Sequence, residues 1–226
     1  MTQTIAITGA TGQLGRLATA ALKTRAPDAH LVALVRDPAK AADLGIEARA
    51  FDYHAKDSLP AALKGVDVLV LVSSSDFNDR AGQHRNVIDA AKEAGVKRVV
   101  YTSILKGDAS PMILAGDHIA TEEALKASGI PATILRNGWY TENYTGSIAG
   151  VLQSGMVAGA NASAQITPAA RADFAEAVAV AAADDAHAGK VYELAGDEAF
   201  TMADYAAEIA RQSGKTITHA PMPQAA

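Results

Sequence analysis

The sequence contains no cysteine, so disulfide bonds, thiolate metal ligands and a cysteine nucleophile are excluded from its chemistry. It also lacks any apolar run near the roughly 18 residues of a membrane-spanning helix, and it does not begin with a basic segment followed by an apolar one. The 20 Lys and Arg are scattered among 25 Asp and Glu, without a basic stripe suited to a phosphate backbone. These absences predict a cytoplasmic protein whose partners include neither nucleic acid nor a membrane.

Two familiar catalytic arrangements are missing as well. The six histidines are scattered without the His-x-x-x-His or His-Glu-x-x-His spacing of a metal site, so no metal is predicted. No Gly-x-Ser-x-Gly motif occurs, and the run Ser73 to Ser75 has no base at a recognisable spacing. A hydrolase is therefore not expected.

What the sequence does contain is an alternation of short β-rich runs with longer amphipathic runs, which is typical of a parallel sheet with crossover helices. The predicted strands are Thr4 to Thr8, Leu31 to Val35, Ala48 to Asp52, Asp67 to Val72, Arg98 to Thr102 and Ala132 to Leu135. The predicted helices are Gln13 to Thr24, Lys56 to Lys64, Ala81 to Ala94 and Ala115 to Ser128. Right-handed crossovers then give an α/β, Rossmann-type doubly wound sheet of order 3-2-1-4-5-6, with ligands at the carboxyl ends of its strands.

The pattern loosens after residue 140. An Ala-rich helix ends at Gly189, "KVYELAG" is predicted as a strand, and a second helix follows with Thr201 as its N-cap. We therefore expect an NAD(P)-binding domain over residues 1–140. Residues 141–226 are expected to form a small C-terminal α/β lobe on the substrate side, integrated with the first domain.

The stretch "TIAITGATGQLGR" places glycines at 9, 12 and 15 between the first strand and the first helix. In that context Gly9 suits a tight turn, Gly12 lets a diphosphate approach the backbone, and Gly15 lets the helix pack close to the strand. The diphosphate would lie at the helix N-terminus, where backbone N–H groups are free. A plain β-turn is the alternative.

Arg36 follows the second strand, where NAD-preferring proteins usually carry Asp or Glu for the ribose hydroxyls. A guanidinium at this position binds a 2′-phosphate through two hydrogen bonds, whereas a carboxylate repels it. The predicted cofactor is therefore NADP(H), the alternative being a solvated surface arginine.

Six segments together resemble one family. They are "ITGATGQLG", "ALVRDPAK", "LVSSS", "QHRNVIDAAKEAGVKRVVYTS", "LRNGWYTENY" and "GKVYELAG". The resemblance is to the NmrA-like branch of the atypical short-chain dehydrogenases, and within it to the bacterial type 2 NAD(P)H:quinone oxidoreductases. It runs from Thr4 to about Thr218. Two segments are shorter than in that branch: the one after Arg36, and the C-terminal lobe that helps to wall the substrate pocket.

The resemblance implies a role for each matching residue. Those implied to bind the cofactor are Gly9, Ala10, Thr11, Gly12, Gln13, Leu14, Gly15, Arg36, Ser73, Ser74, Ser75, Thr102, Ser103, Asn137, Gly138, Trp139, Tyr140 and Arg171. Within that set the glycine turn would hold the diphosphate and Arg36 the 2′-phosphate, while the three serines would line the ribose. Trp139 and Tyr140 would also flank the substrate, either by stacking on its ring or as packing residues.

The helix after the fifth strand has no Tyr-x-x-x-Lys pair, with which ordinary short-chain dehydrogenases protonate a nascent alkoxide. His118 and Glu122 occupy the corresponding positions. A quinone leaves a phenolate-type anion, with a pKa near the roughly 10 of tyrosine, and so needs less help from a protein acid. His118 is a candidate donor to a substrate oxygen. The alternative is a solvated histidine that pairs with Glu122.

The leading hypothesis is an NADPH-dependent enzyme that transfers hydride to a small quinone, near Ser103, His118 and Trp139 to Tyr140. The second is an NADP(H)-binding redox sensor of the NmrA type that has no turnover. Sugar-nucleotide epimerase or dehydratase chemistry shares the glycine turn but normally needs the absent Tyr-Lys pair. A homodimer is included among the expected assemblies.

Overall fold

The computed structural model describes residues 2–159 and 163–222. Its strands are β1 (Thr4–Thr8), β2 (His30–Val35), β3 (Glu47–Ala50), β4 (Val68–Leu71), β5 (Arg98–Ile104), β6 (Ala132–Asn137), β7 (Met156–Gly159), β8 (Val191–Leu194) and β9 (Thr218–Pro221). Its α-helices are α1 (Gln13–Arg25), α2 (Leu59–Ala62), α3 (Arg80–Ala94), α4 (Ala115–Ser128), α5 (Glu142–Thr145), α6 (Ile148–Ser154), α7 (Arg171–Ala183) and α8 (Met202–Ser213). Short 3-10 helices cover Pro38–Leu44, Lys56–Ser58, Gly107–Ala109 and Asp185–His187.

Contacts along the chain divide it into two units. The first comprises residues 1–137 and 172–194, and the second comprises residues 138–171 and 195–226. The division at residue 140 that the sequence suggested stays a prediction. Residues 172–194, which carry nearly all of α7 and the whole of β8, belong to the first unit, although both elements follow residue 140.

The first unit is built on a seven-stranded sheet of order β3-β2-β1-β4-β5-β6-β8 in which all paired neighbours are parallel. This confirms the predicted doubly wound sheet and its order. β8 extends it as an outer strand, with Leu135 opposite Tyr192. The carboxyl ends of β1, β4 and β5 lie side by side in the middle, where such sheets bind their ligands.

The centre of the sheet is apolar on both faces because helices cover both sides. All four residues of β4 are buried, and so are Ile5 to Thr8 of β1. The register of the β1 and β2 pair sets Ile5 opposite Leu31 and Ile7 opposite Ala33. A rigid central sheet thus carries the loops at its carboxyl edge.

Two helices differ from their predicted extents, each because of one residue. The helix predicted over Lys56 to Lys64 is a 3-10 turn followed by the short α2, because Pro60 in its first turn offers no backbone N–H to a carbonyl one turn back. The Ala-rich helix ends at Ala183 rather than at Gly189. Asp184 accepts a hydrogen bond from the backbone N–H of Ala186 and begins a separate 3-10 turn.

The second unit has its own small core. β7 and β9 pair in parallel, and α8 begins with a capping box between Thr201 and Asp204, which confirms the predicted N-cap. The buried residues of this core are Val151, Val157, Met202, Ala206, Ile209 and Ile217.

Candidate functional site

The turn from β1 to α1 is shaped by glycines at the predicted positions. Gly9 has a φ of +58°, in the left-handed region that favours glycine, and its N–H donates to Leu34 O at 3.1 Å. A Cβ on Gly15 would lie 2.8 Å from the Cα of Ala10 and still closer to Gly9 O. A Cβ on Gly12 would lie 3.1 Å from the same oxygen. The turn therefore accepts no side chain at 15 without shifting its backbone.

The N-terminus of α1 has free donors. Gly12 caps the helix without a side chain, and its carbonyl accepts from Arg16 N at 2.9 Å. The N–H groups of Gln13, Leu14 and Gly15 come before Arg16 N, the first N–H with an acceptor inside the helix, and the first turn contains no acidic residue. This end of the helix combines unpaired N–H groups with a partial positive charge, which suits an anionic diphosphate.

Arg16 braces the turn from its outer side. Its Nε donates to Thr11 O at 3.1 Å and its Nη1 lies 2.5 Å from Asp43 Oδ2. The hydrogen bond and charge of Arg16 lower the pKa of Asp43. The segment after β2 is thereby tied to the glycine turn.

Arg36 lies directly after β2 and is exposed. Within the part of the chain that the structure describes, its guanidinium makes neither a hydrogen bond nor an ion pair. The next residue, Asp37, caps the 3-10 helix through Ala39 N at 3.1 Å. The arginine is thus left available to an external anion.

The ends of β1, β4 and β5 are joined by threonine hydroxyls. Thr8 Oγ1 accepts from Val72 N, and Thr102 Oγ1 accepts from Ser73 N, each at 2.9 Å. Ser74 Oγ contacts Gln83 Oε1 at 2.8 Å, while Ser75 is exposed. Thus the first three predicted groups, namely the turn, the serines and Thr102, lie on adjacent strand ends of one sheet.

His84 of α3 fixes the loop after β4 and has both ring nitrogens occupied. Its Nε2 accepts from Ser74 N at 2.9 Å, so the proton lies on Nδ1, which donates to Thr121 Oγ1 at 2.9 Å. Burial, and to a lesser extent the charges of His118 and Arg80, lower the pKa of His84 to about 3. His84 is a neutral structural histidine.

His118 of α4 is also buried, with 7% of its surface exposed. Its Nδ1 lies 2.7 Å from the hydroxyl of Tyr101, which is fully buried in β5. Burial and the charge of Arg80 lower the pKa of His118 to about 4, although Glu122 acts in the opposite direction. The alternative of a solvated His118 paired with Glu122 is wrong, because Glu122 has other partners.

Those partners are Ser103 and Arg136. Ser103 Oγ donates to Glu122 Oε1 at 2.5 Å, and Arg136 Nη2 donates to Glu122 Oε2 at 2.7 Å. Arg136 Nη1 also donates to Glu193 Oε1 of β8 at 2.9 Å. Glu122 and Glu193 together raise the pKa of Arg136 above its usual range. We call Tyr101, Ser103, His118, Glu122 and Arg136 the polar cluster.

The polar cluster holds the loop after β5. Lys106 has a φ of +69°, which is uncommon for a non-glycine residue, and its N–H donates to Glu193 Oε2 at 2.7 Å. A Cβ on the following Gly107 would lie 2.5 Å from Nη2 of Arg136. The guanidinium therefore packs against backbone at this loop.

Asn137 ends β6 and is 6% exposed, yet neither its Nδ2 nor its Oδ1 has a hydrogen-bond partner among the described residues. Leaving a buried amide unpaired costs about 1–3 kcal/mol. Such a group is expected to find its partners in a bound molecule or ordered water.

The remaining predicted residues belong to the second unit. Trp139 is 43% exposed, and the guanidinium of Arg171 lies 4.8 Å from the centre of the Tyr140 ring. Arg171 N donates to both carboxylate oxygens of Glu142 at 3.0 Å. Gly138 begins this unit.

Sequence reasoning missed Tyr101, His84 and Arg136. A tyrosine in an apolar strand and an arginine near the end of another have no spacing motif, because their partners are far away along the chain. The polar residues within, or directly after, the predicted apolar strands are a signal that could have indicated Tyr101 and Arg136, whereas His84 lies on α3.

Among the described residues, no group of three or more His, Asp or Glu side chains could hold a metal ion. In the same part of the chain, every helix is too short or too polar to cross a membrane.

The family model described as the NmrA-like family matches residues 1–226. Quinone oxidoreductase 2 of Escherichia coli (strain K12) is 50% identical over 224 residues, which are 98% of this chain and 78% of that protein. The crystal structure of an NADPH-dependent quinone oxidoreductase from Escherichia coli, complexed with NADPH, superposes with a TM-score of 0.93 at 51% identity, covering 96% of this chain and 78% of the other. The triphenylmethane reductase of Citrobacter sp., complexed with NADP(H), gives a TM-score of 0.92 at 35% identity, covering 97% and 79% of the two chains.

Proposed function

The chain belongs to the NmrA-like family, and on that premise we propose that it is an NADPH-dependent oxidoreductase that reduces small quinones. The observation that carries the proposal is the 50% identity, over 98% of the chain, with a protein known as a quinone oxidoreductase. The geometry of the first unit supports it independently.

The residues present fit a dinucleotide. The turn at Gly9 to Gly15 has no room for a Cβ at position 15, and the adjoining helix N-terminus offers unpaired N–H groups. These groups would hold the diphosphate, and the exposed Arg36 would bind the 2′-phosphate that distinguishes NADPH from NADH. The buried amide of Asn137, which has no partner in the described chain, would gain one from a carboxamide.

The other assignments of the sequence stand as part of this proposal. Ser73, Ser74, Ser75, Thr102 and Ser103 would line the ribose and nicotinamide from the ends of β4 and β5. Gly138, Trp139, Tyr140 and Arg171 of the second unit keep their predicted cofactor roles, with Trp139 and Tyr140 also assigned to the substrate.

When bound, NADPH supplies a hydride. The chain's own contribution is positioning and exclusion of water. Ser103, near the end of β5, donates its hydroxyl to Glu122. Glu122 in turn takes the place of the usual lysine, and its carboxylate is held by Arg136. This arrangement offers no strong acid, which a product anion with a pKa near that of tyrosine does not require.

The test is the consumption of NADPH, followed by its absorbance, with a panel of benzoquinones and naphthoquinones. We expect turnover that depends on the quinone, and NADPH to be preferred over NADH. Binding of NADPH without oxidation by any quinone would contradict the proposed reaction and would favour the redox-sensor alternative. The cytoplasmic location and the homodimer stay predictions, the second to be tested by light scattering.

A further inference from the structure

The two buried histidines of the first unit differ in one respect. His84 has protein partners on both ring nitrogens, so it has no capacity left for a ligand. His118 has a protein partner only on Nδ1, and within the described chain its Nε2 makes no hydrogen bond. His118 is 7% exposed, and its unused ring nitrogen is expected to pair with a bound molecule or with ordered water.

Tyr101 decides which nitrogen carries the proton. The hydroxyl of Tyr101 is fully buried, and its shortest hydrogen bond among the described residues is to His118 Nδ1, at 2.7 Å. The side chains of Thr121 and Ser73 also interact with this hydroxyl. We assign the hydroxyl proton to this shortest contact, so that Nδ1 accepts and the proton of the neutral imidazole lies on Nε2. His118 presents an N–H donor where His84 presents none.

The charges around His118 keep it neutral. Arg80 and His84 of α3, Tyr101 of β5 and Glu122 of its own helix interact with it. Arg80 also pairs with Asp117 at 3.5 Å. Burial is the largest influence and lowers the pKa of His118 to about 4. The imidazole at neutral pH is thus a hydrogen-bond donor rather than a charged acid.

The position of His118 fits a substrate oxygen. It lies in the first turn of α4, which packs on the carboxyl half of β5, and Tyr101 and Ser103 on that strand alternate at the spacing of one face. Ligands of this fold bind at the carboxyl edge of the sheet. Glu122 on the same helix is bound by Ser103 and Arg136, whereas His118 keeps one ring nitrogen for a ligand.

We propose that His118 donates its Nε2–H to the quinone oxygen that becomes negatively charged, and that Tyr101 is the positioning residue that holds this tautomer. The inference rests on the proposed function. Hydride addition gives the quinone two electrons and one proton, which yields the hydroquinone anion. The second proton comes from solvent, and the proton of His118 stays on Nε2. A neutral imidazole that polarises an oxygen without protonating it is an established mode of catalysis.

The first experiment reads the tautomer directly, by nitrogen NMR of histidine-labelled protein without cofactor. We expect His118 with its proton on Nε2 and His84 with its proton on Nδ1, neither titrating above pH 5. Tyr101→Phe removes the hydroxyl and should convert His118 to a tautomer mixture. A wild-type His118 with its proton on Nδ1, or one that titrates near pH 6.5, would overturn the inference.

The second experiment measures kcat and KM. His118→Leu should lower kcat by about 100-fold with little change in the quinone KM, the scale of losing one donor to a developing oxyanion. His118→Gln, whose amide N–H reaches near the position of Nε2, should restore most of kcat. Tyr101→Phe should lower kcat about tenfold. The kcat of this variant should not change between pH 6 and pH 8.

The matched control is Tyr192→Phe. Tyr192 of β8 makes the same kind of hydrogen bond, at 2.7 Å to Nδ1 of His187 in the 3-10 helix before that strand. Neither residue belongs to the polar cluster. The substitution should leave kcat unchanged. Thermal unfolding and NADPH affinity of each variant show whether it folds. If His118→Leu does not fold, kcat of His118→Gln and the histidine tautomer in Tyr101→Phe test the role of His118 instead.

The outcomes separate the two proposals. If the wild type reduces quinones and His118→Leu retains its kcat, the role of His118 is overturned and the proposed function stands. If the wild type binds NADPH and reduces no quinone, the proposed function fails and the substrate role of His118 fails with it.

Discussion

The glycine turn and the polar cluster lie on the same edge of one sheet and are built from different materials. The turn between β1 and α1 offers backbone N–H groups, and its shape depends on side chains being absent at Gly9 and Gly15. The polar cluster consists of side chains from β5, β6 and α4 whose hydrogen-bonded partners are 14 to 19 positions apart in the sequence.

The difference lies in what each region can recognise. A backbone cradle binds a diphosphate, which is common to every dinucleotide, so it identifies a class of cofactor. A set of oriented side chains determines which charge and which proton are presented to a reacting group. Cofactor class is therefore expected to depend on the turn and reaction type on the cluster.

Acid should act on the two buried histidines, His118 in the polar cluster and His84 of α3, and should leave the glycine turn unchanged. His84 and His118 have folded pKa values of about 3 and 4, below the roughly 6.5 of an unfolded histidine. The unfolded state therefore binds protons that the folded state does not, and stability is full above pH 6.5 and falls as the pH falls below it. We expect a loss of about 1.4 kcal/mol per pH unit for each, or about 4 kcal/mol for both at pH 5, measured by urea unfolding.

His118→Gln should remove about half of this acid sensitivity while leaving His84 in place. A free energy of unfolding that is the same at pH 7 and pH 5 would show that these histidines are not held neutral.

Gly15→Ala tests the glycine turn, which is built from backbone groups. The added Cβ meets Gly9 O and the Cα of Ala10, which are backbone atoms that cannot swing aside. We expect a loss of about 1–3 kcal/mol in the free energy of unfolding, typical of overpacking, together with weaker NADPH binding because the turn has shifted.

Gly150→Ala is the matched control, since that glycine is in α6 with open space around its Cβ position. It should be neutral or stabilising by up to about 1 kcal/mol. Equal effects of the two substitutions would mean that the turn tolerates a side chain after all.

Arg36→Ala tests which dinucleotide binds at the glycine turn. A hydrogen bond to a charged group contributes about 1.5–3 kcal/mol, so the ratio of NADPH to NADH affinity should fall about 10- to 100-fold. Fluorescence titration with both cofactors measures this ratio. Arg25→Ala, at the other end of α1, removes an exposed charge paired with Glu176 and should leave the ratio unchanged. If both variants kept the same ratio as the wild type, Arg36 would not be the phosphate ligand.

The same contrast explains how much could be predicted from the sequence. The sheet order and the glycine turn follow from local patterns: apolar runs, helix periodicity and three glycines between a strand and a helix. The N-cap at Thr201 is equally local, because its partner Asp204 is three residues away.

The contacts of the cluster could not be predicted because they join distant residues. The spacing of His118 and Glu122 on one helix suggested a pair, yet each finds its partner on a strand, at Tyr101 and at Ser103 with Arg136. Neighbours on a helix face interact by default only when no closer partner packs against them. The strand in "KVYELAG" was predicted, but its place beside β6 in the large sheet was not, since that pairing is decided by tertiary contacts.

The smallest effect is expected from Arg136→Lys, which keeps the charge and removes the planar fork. Arg136 now makes two hydrogen bonds to Glu122, at 2.7 and 3.1 Å, and one to Glu193 at 2.9 Å. A lysine ammonium cannot match this geometry, so about 1 kcal/mol of unfolding free energy should be lost. Arg211→Lys, at an exposed pair with Glu208, should cost less than about 0.5 kcal/mol. Because Glu122 also accepts from Ser103, which we assign to the nicotinamide, the first variant should lower kcat by a larger factor than it weakens NADPH binding. Weaker NADPH binding with an unchanged kcat would mean that Arg136 acts on cofactor binding instead.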